Sequence, residues 1–327
     1  MACSTETRVR ISLGSLALLK RLPITMFSKP TTLYLLQYSE EGCLASCMYC
    51  SQSRVAGDRL RSRGYLSRIT WPVINISDIV KRRRAIRDAG FERLCIQSIL
   101  KPGFLEELEC IISHLLAIEL PISLAITPVG EEALEKLREL GVEYLGVGLD
   151  AATPRIFNKV GKPYTWKRYM EFIESGVKIF GKGRVYVHII AGLGETLKEA
   201  VDTMKMLYEK GAKVALFNYT HVPGLPRLPG IELKKYRLLQ LARFMLEKGH
   251  NPYLYLRLDE GREGFKRKPP VQVEELGEAV LTSGCPGCNR PFYNESPRGP
   301  IYNYPSRAML ESMREKWMGE ILSLLNE

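Results

Sequence analysis

The sequence predicts an α/β fold, a (β/α)8 TIM-type barrel, on three observations. Short β-branched and aromatic runs alternate with longer helical patterns, which implies parallel strands with helices outside them. Seven or eight such units fit within 327 residues, the number and length that a barrel needs. The residues with distinctive chemistry fall at the C-terminal ends of the strands, where barrel sites assemble. The runner-up architectures are an open doubly wound sheet and a partial barrel of six strands.

Candidate strands are 32–38, 93–98, 122–127, 144–149, 185–191, 214–218, 253–258 and, more weakly patterned, 279–282. Helical patterns lie between them at 76–89, 131–140, 166–180, 197–210 and 234–248. Acids at Glu131 and Glu132 and the stop at Gly141 mark a typical helix. The chain divides into a helical extension (1–30), a barrel (31–284) and a C-terminal segment (285–327) that ends in a helix over 306–325. Residues 11–19 faintly resemble a signal peptide, but Lys20 and Arg21 follow directly with no small-residue cleavage site, so a helix packed on the domain is expected. Residues 261–270 and 283–305 are rich in Gly, Pro and Arg and read as ordered loops of functional length.

Composition narrows the class. Apolar residues make up 45%, enough for a large core and too many for disorder. No run of about 18 uncharged apolar residues occurs, so no membrane span and a cytoplasmic location are expected. The net charge of +11 suits an acidic partner, whether protein, lipid or nucleic acid. No appended RNA-binding module supports nucleic acid. The run from Lys81 to Arg84 reads as a solvated helix face.

Eight cysteines in a chain of this size point to metal or redox chemistry rather than to disulfides. Five of them cluster. Cys43, Cys47 and Cys50 give C-x3-C-x2-C directly after the first strand. Three thiolates in one loop can grip three irons of a cubane and leave the fourth without a protein ligand. An open iron can chelate a small group and pass it an electron. The rival is a zinc site, which wants four ligands and is commonly built as two C-x2-C pairs. A chance match to the spacing is on the order of 0.5% for this cysteine content. Cys285 and Cys288 form a C-x2-C pair past the eighth candidate strand. Barrel closure would bring them near Cys95 at the mouth of the first loop, and three thiolates would again suit a [4Fe–4S] centre. A reduced structural pair, a zinc knuckle or a disulfide are the bland alternatives. Cys110 lies in an apolar helix and is expected in the core; Cys3 is expected in a frayed terminus with no role. His188 and His221 sit near strand ends and are candidate lining residues.

The C-x3-C-x2-C loop after a first parallel strand resembles that of the radical S-adenosylmethionine (SAM) enzymes. The resemblance implies a [4Fe–4S] cluster on Cys43, Cys47 and Cys50 and SAM bound at the open iron. It places Tyr49 against the adenine and implies a 5′-deoxyadenosyl radical that abstracts hydrogen from an unactivated carbon. Further segments are similar to biotin synthase. Cys50-Ser-Gln-Ser resembles its Y-C-P-Q-S, and Arg93-Leu-Cys-Ile resembles a segment that supplies an auxiliary-cluster ligand, implying Cys95. Gly148-Leu-Asp-Ala and the run from Ile190 through Gly192 to Thr196 imply Asp150, Ile190 and Gly192 at the cofactor. Asn218 matches a substrate-binding asparagine, and Arg257 falls where biotin synthase has an arginine ligand.

The departures are informative. Biotin synthase uses cysteines on its third and fifth strands, where this chain has Ala125 or Ile126 and His188 or Ile189. The added Cys-Pro-Gly-Cys-Asn-Arg-Pro segment resembles the archaeal two-component lipoyl synthases, most closely the partner acting first. That resemblance implies a lipoyl synthase that thiolates C8 of an octanoyl chain on H protein or a lipoyl domain. It implies two [4Fe–4S] clusters, the second at Cys95, Cys285 and Cys288 as sulfur donor, a sister component and a ferredoxin-like electron donor. Rival readings are biotin synthase, a tRNA-modifying radical enzyme, or an iron–sulfur or zinc structural protein.

Overall fold

The computed structural model describes residues 6–20, 22–62, 64–269, 271–272 and 274–325. Cys3 lies outside the described residues. Six strands run parallel in chain order: Thr32–Gln37, Arg93–Gln97, Ile122–Ile126, Val142–Asp150, Val185–Ala191 and Lys213–Asn218. They are called parallel strands one to six below. Two antiparallel strands extend the sheet beyond strand one, first Arg8–Ile11 and then Val73–Asn75. The segment read as a helical extension therefore gives a sheet strand before its helix, Leu13–Lys20.

Helices link the parallel strands in the expected rhythm. Phe104–Leu115, Glu131–Glu139, Trp166–Phe180, Leu197–Glu209 and Leu233–Glu247 cover the outer face. The 76–89 pattern splits into Ile76–Lys81 and Arg83–Asp88, and Lys81, Arg83 and Arg84 are exposed as a solvated face. The 306–325 helix likewise splits, into Arg307–Ser312 and Arg314–Leu325. Threonine at the helix start recurs: Thr165 accepts the Arg168 amide, and Thr196 with Glu199 forms a capping box. No helix among the described residues is long and apolar enough to cross a membrane.

The side-chain alternation of the strands shows how the sheet is used. Leu33, Leu35, Leu94, Ile96, Leu145, Val147, Val187 and Ile189 are fully buried in the core shared with the helices. The alternate residues Tyr34, Leu36, Cys95, Gln97, Ser123, Ala125, Gly146, Gly148, Tyr186, His188, Ala215 and Phe217 line one cavity. Six strands contributing one face to one cavity require a curled sheet, so the barrel wall is present on this side.

The last two predicted barrel strands take other forms. In 253–258 only Leu256–Arg257 is extended, and it pairs antiparallel with Gly264–Phe265, outside the main sheet. The run at 279–282 falls on a helical turn, Gly277–Val280, with a single bridge from Leu281 to Tyr304. Short apolar runs do not distinguish a strand from a buried helical turn, and here tertiary packing decided. The C-terminal loop occupies the space instead. Ser283 Oγ accepts the Leu216 amide of strand six at 2.8 Å. Across the gap, Gly287 O accepts the hydroxyls of Thr31 (2.6 Å) and Thr32 (2.7 Å) at strand one, and Pro286 O accepts Arg93 Nε of strand two at 2.8 Å. Hydrogen-bonded loop, rather than strands seven and eight, spans from strand six back to strand one.

Candidate active site

The first cysteine loop starts at Gly42, with φ +78°; a Cβ there would lie 2.8 Å from Gln52 O. Only glycine fits, because that φ and that approach exclude a side chain. The Cys43 amide then closes the loop on Gln52 O at 2.7 Å. Cys43 Sγ accepts the Leu100 amide at 3.3 Å, Cys50 N reaches Cys47 O at 3.1 Å, and Met48 N reaches Val160 O at 2.9 Å. The last contact docks the loop beside Lys162.

Lys162 is the charged centre of this region. Its Nζ lies 2.6 Å from Asp150 Oδ2, with the side chains 6% and 13% exposed. Asp150 ends strand four at φ +65°, after a register shift, a strained backbone that points its carboxylate inward. Tyr49 donates its hydroxyl to the same Oδ2 at 2.5 Å. Burial alone would pull the Lys162 ammonium down, but Asp150, Cys47 and Tyr169 overturn this and hold it above its ordinary value. Burial pushes the Cys50 thiol up to about 12 and raises Cys47, while Lys162 pulls both back. A buried cation beside buried thiols favours their thiolate form, which metal binding requires.

The second cysteine group assembles from distant segments. Cys95, on strand two, is in register with Tyr34 and Ser123 on the neighbouring strands. Cys285 and Cys288 come from the C-terminal loop, where Cys288 N bonds Cys285 O at 2.9 Å. Burial raises Cys95, with Cys288 and Cys285 adding to it, so the three sulfurs sense one another. Burial pushes Cys285 up to about 12, opposed by the Ser123 hydroxyl, Arg93 and Arg290. Arg290 bonds Ser283 O at 2.8 Å, lies 3.6 Å from Cys288 Sγ, and stacks over Phe217 with its guanidinium carbon 3.8 Å from the ring centroid.

All six of these cysteines are free, and all line one cavity of about 300 Å³. Tyr34, Trp71 and Tyr293 form a buried cluster against which Cys43, Cys95 and Cys288 pack, and it walls the two groups. The cavity also carries Ser98 Oγ, Thr127 Oγ1 and Asn218 Oδ1, buried polar atoms with no protein partner. Such atoms are satisfied by a ligand or water. Among the described residues no three His, Cys, Asp or Glu side chains are placed to hold a single metal ion. Four ligands about 2.3 Å from one zinc would need such a group.

Tyr49, Asp150, Ile190, Asn218 and His188 line the cavity, as the sequence suggests. Gly192 does not. At φ +101° a Cβ there would meet Gly230 C at 2.6 Å, and its amide bonds Glu195 Oε1 at 2.5 Å, so it shapes a turn behind the wall. Arg257 does not reach the cavity either, because the seventh strand that would carry it inward is absent; its Nη2 lies 3.4 Å from Phe265 O. Arg290 occupies the place beside the second sulfur group. His221 is exposed and contacts Tyr219 instead. Cys110, expected in the core, is half-buried and disulfide-bonded. Sequence reasoning misses Lys162, Tyr34, Ser123 and Arg290 as site residues. Of these, only Arg290 has a local signal, two residues after the C-x2-C pair.

Comparisons with known proteins agree with this geometry. The Radical SAM superfamily model matches residues 40–207. The biotin synthase of Alkalilimnicola ehrlichii is 25% identical over 274 residues, 78% of this chain and 77% of that protein. The Rickettsia felis biotin synthase is 23% identical, over 77% and 82%. Among solved structures, the FeFe-hydrogenase maturase HydG from Carboxydothermus hydrogenoformans matches with TM-score 0.53 at 16% identity, over 89% of this chain and 68% of that one. Methylornithine synthase matches with TM-score 0.52 at 14% identity, over 67% of this chain and 63% of that one.

Proposed function

This chain belongs to the radical SAM superfamily, and from that premise we propose that it inserts sulfur into an unactivated C–H bond. When bound, a [4Fe–4S] centre on Cys43, Cys47 and Cys50 supplies the electron that cleaves SAM, and a second on Cys95, Cys285 and Cys288 supplies the sulfur. The observation that carries this reading is the convergence of two three-cysteine groups on one cavity with unpartnered polar walls.

The chain's residues divide the work. Lys162, fixed by Asp150, offsets the negative charge of the first thiolates. Arg93 and Arg290 do the same for the second group. Tyr49, tied to Asp150, and Ile190 give the cofactor an apolar wall in fixed orientation. Ser98, Thr127 and Asn218 offer hydrogen bonds to cofactor or substrate. The aromatic cluster excludes water between the two sulfur groups.

The named relatives favour a biotin-synthase-type reaction on a small molecule such as dethiobiotin. A second reading is a lipoyl synthase component acting with a sister enzyme and a ferredoxin-like donor on an octanoylated carrier protein. Its specific support is the cysteine set: where the resemblance to biotin synthase implies two strand cysteines this chain has Ala125 or Ile126 and His188 or Ile189, and the C-terminal loop brings sulfurs from elsewhere. Anaerobic reconstitution tests the shared chemistry. Iron should number about eight per chain and fall to about four in Cys285→Ala/Cys288→Ala. About four in both proteins would leave SAM cleavage standing and remove sulfur insertion. Parallel assays with dethiobiotin and with an octanoylated lipoyl domain then separate the two substrates by which one gains sulfur.

A further inference from the structure

Tyr34 carries a hydroxyl whose hydrogen-bonding capacity is fully used. It is 1% exposed, on strand one, with its backbone in register with Cys95. Its oxygen accepts the amide of Asn289 at 3.0 Å and that of Arg290 at 2.9 Å. A phenol has one proton to donate and few acceptor positions. With two amides donating to the oxygen, the proton must go elsewhere, and Cys288 Sγ stands 3.5 Å away. The same sulfur faces Arg290 Nη1 at 3.6 Å. Two donors therefore converge on Cys288, and a sulfur approached by donors acts as an acceptor.

We infer that Tyr34 is a positioning residue for the second cysteine group, which it serves by folding the Cys288–Arg290 turn onto strand one and by hydrogen-bonding the Cys288 sulfur. The inference rests on the proposed second centre and adds an asymmetry to it. Hydrogen bonds to a ligating sulfur draw charge from it and favour the reduced, more negative state. Cys288 thus binds its iron more weakly than an unbonded thiolate does, and the centre is easier to reduce than it would be without Tyr34. If this centre supplied the sulfur, its iron would take up one electron as the C–S bond formed, and a donor that favours the reduced state would assist that uptake.

The test uses full-length Cys43→Ala/Cys47→Ala/Cys50→Ala protein, reconstituted to hold only the second centre. About four irons in this parent are required by the reading itself, and none would remove the second centre before Tyr34 is considered. In Tyr34→Phe on this parent, the Fe–S(Cys) stretching frequencies should rise. The one-electron reduction equilibrium should shift about tenfold toward the oxidised state, a midpoint about 59 mV lower. Tyr236→Phe serves as control. It removes a fully buried hydroxyl that bonds Asn303 Oδ1 at 3.0 Å, outside the cavity, and it should leave both readouts unchanged. Because Tyr34→Phe also strands two amides, a second variant keeps the oxygen: 3-fluorotyrosine at position 34, with a more acidic hydroxyl, should shift the equilibrium the opposite way. Unchanged frequencies and midpoint in 3-fluorotyrosine protein, or in iron-replete Tyr34→Phe, would overturn the inference.

Discussion

The two cysteine groups face one cavity but are built in opposite ways. Cys43, Cys47 and Cys50 share one loop of eight residues, closed by backbone bonds and set beside a buried ion pair. Cys95 and the Cys285–Cys288 pair are separated by about 190 residues of chain. Ordering an eight-residue loop costs about 2 kcal/mol of length-dependent closure entropy, and closing about 190 residues costs about 5 kcal/mol. The second group needs the rest of the fold to offset that difference. The bonds from Thr31, Thr32, Arg93, Asn289 and Tyr34, at about 1 kcal/mol each, are of the right size. One region is a motif, and the other is a tertiary construction.

The largest effects should separate the groups outright. Cys47→Ala should abolish SAM cleavage while about four irons remain on the second group, measured by 5′-deoxyadenosine release and iron content. Cys285→Ala should keep 5′-deoxyadenosine release and lose sulfur transfer. Loss of 5′-deoxyadenosine release in Cys285→Ala, or loss of all iron in Cys47→Ala, would mean one shared centre.

The next largest effect probes the buried pair. Asp150→Asn removes the ion-pair partner of buried Lys162 and should lower stability by roughly 3–5 kcal/mol in denaturant titration of the iron-free protein. A cost below about 1 kcal/mol would mean that Lys162 has another partner in the folded protein.

A pH dependence belongs to the C-terminal region. Burial pushes the Glu295 carboxyl up to about 7, with Arg290 and Arg237 opposing. The native state then holds a proton that the unfolded state has released, so stability falls as pH rises from about 4.5 to 7. The full effect is roughly 3 kcal/mol. Glu295→Gln should flatten that slope; a slope unchanged by the substitution would show that another group carries it.

The smallest effect sharpens the contrast. Thr31→Val and Thr32→Val each remove one bond to Gly287 O and should each cost about 1 kcal/mol. Limited proteolysis should register the loss at the 283–290 loop and leave residues 42–54 as protected as before. Equal loosening of both loops would contradict their separate construction.

Much of this molecule was legible before folding. The alternation of strand and helix gave six parallel strands, and local spacing identified the first cysteine loop. Tyr49, Asp150, Ile190 and Asn218 were found because each sits at or next to a strand end or a motif. Arg257 stays outside the cavity because the seventh strand expected to carry it inward does not form, and Gly192 because its backbone packs on Gly230 behind the wall. Lys162 and Tyr34 were not legible, since a lysine after a glycine and a tyrosine in an apolar strand look ordinary until the backbone brings their partners near.

The sequence by itself determined the parallel α/β order, the three-thiol loop and the family, because those signals lie within a few residues of one another. Only the tertiary structure decided that six strands, not eight, form the wall and that a hydrogen-bonded loop fills the gap. It showed that a loop, and not the expected barrel closure, carries Cys285 and Cys288 to the cavity that Cys95 lines. Those outcomes depend on contacts between segments far apart in the chain, and local pattern carries no record of which distant partner a segment will meet.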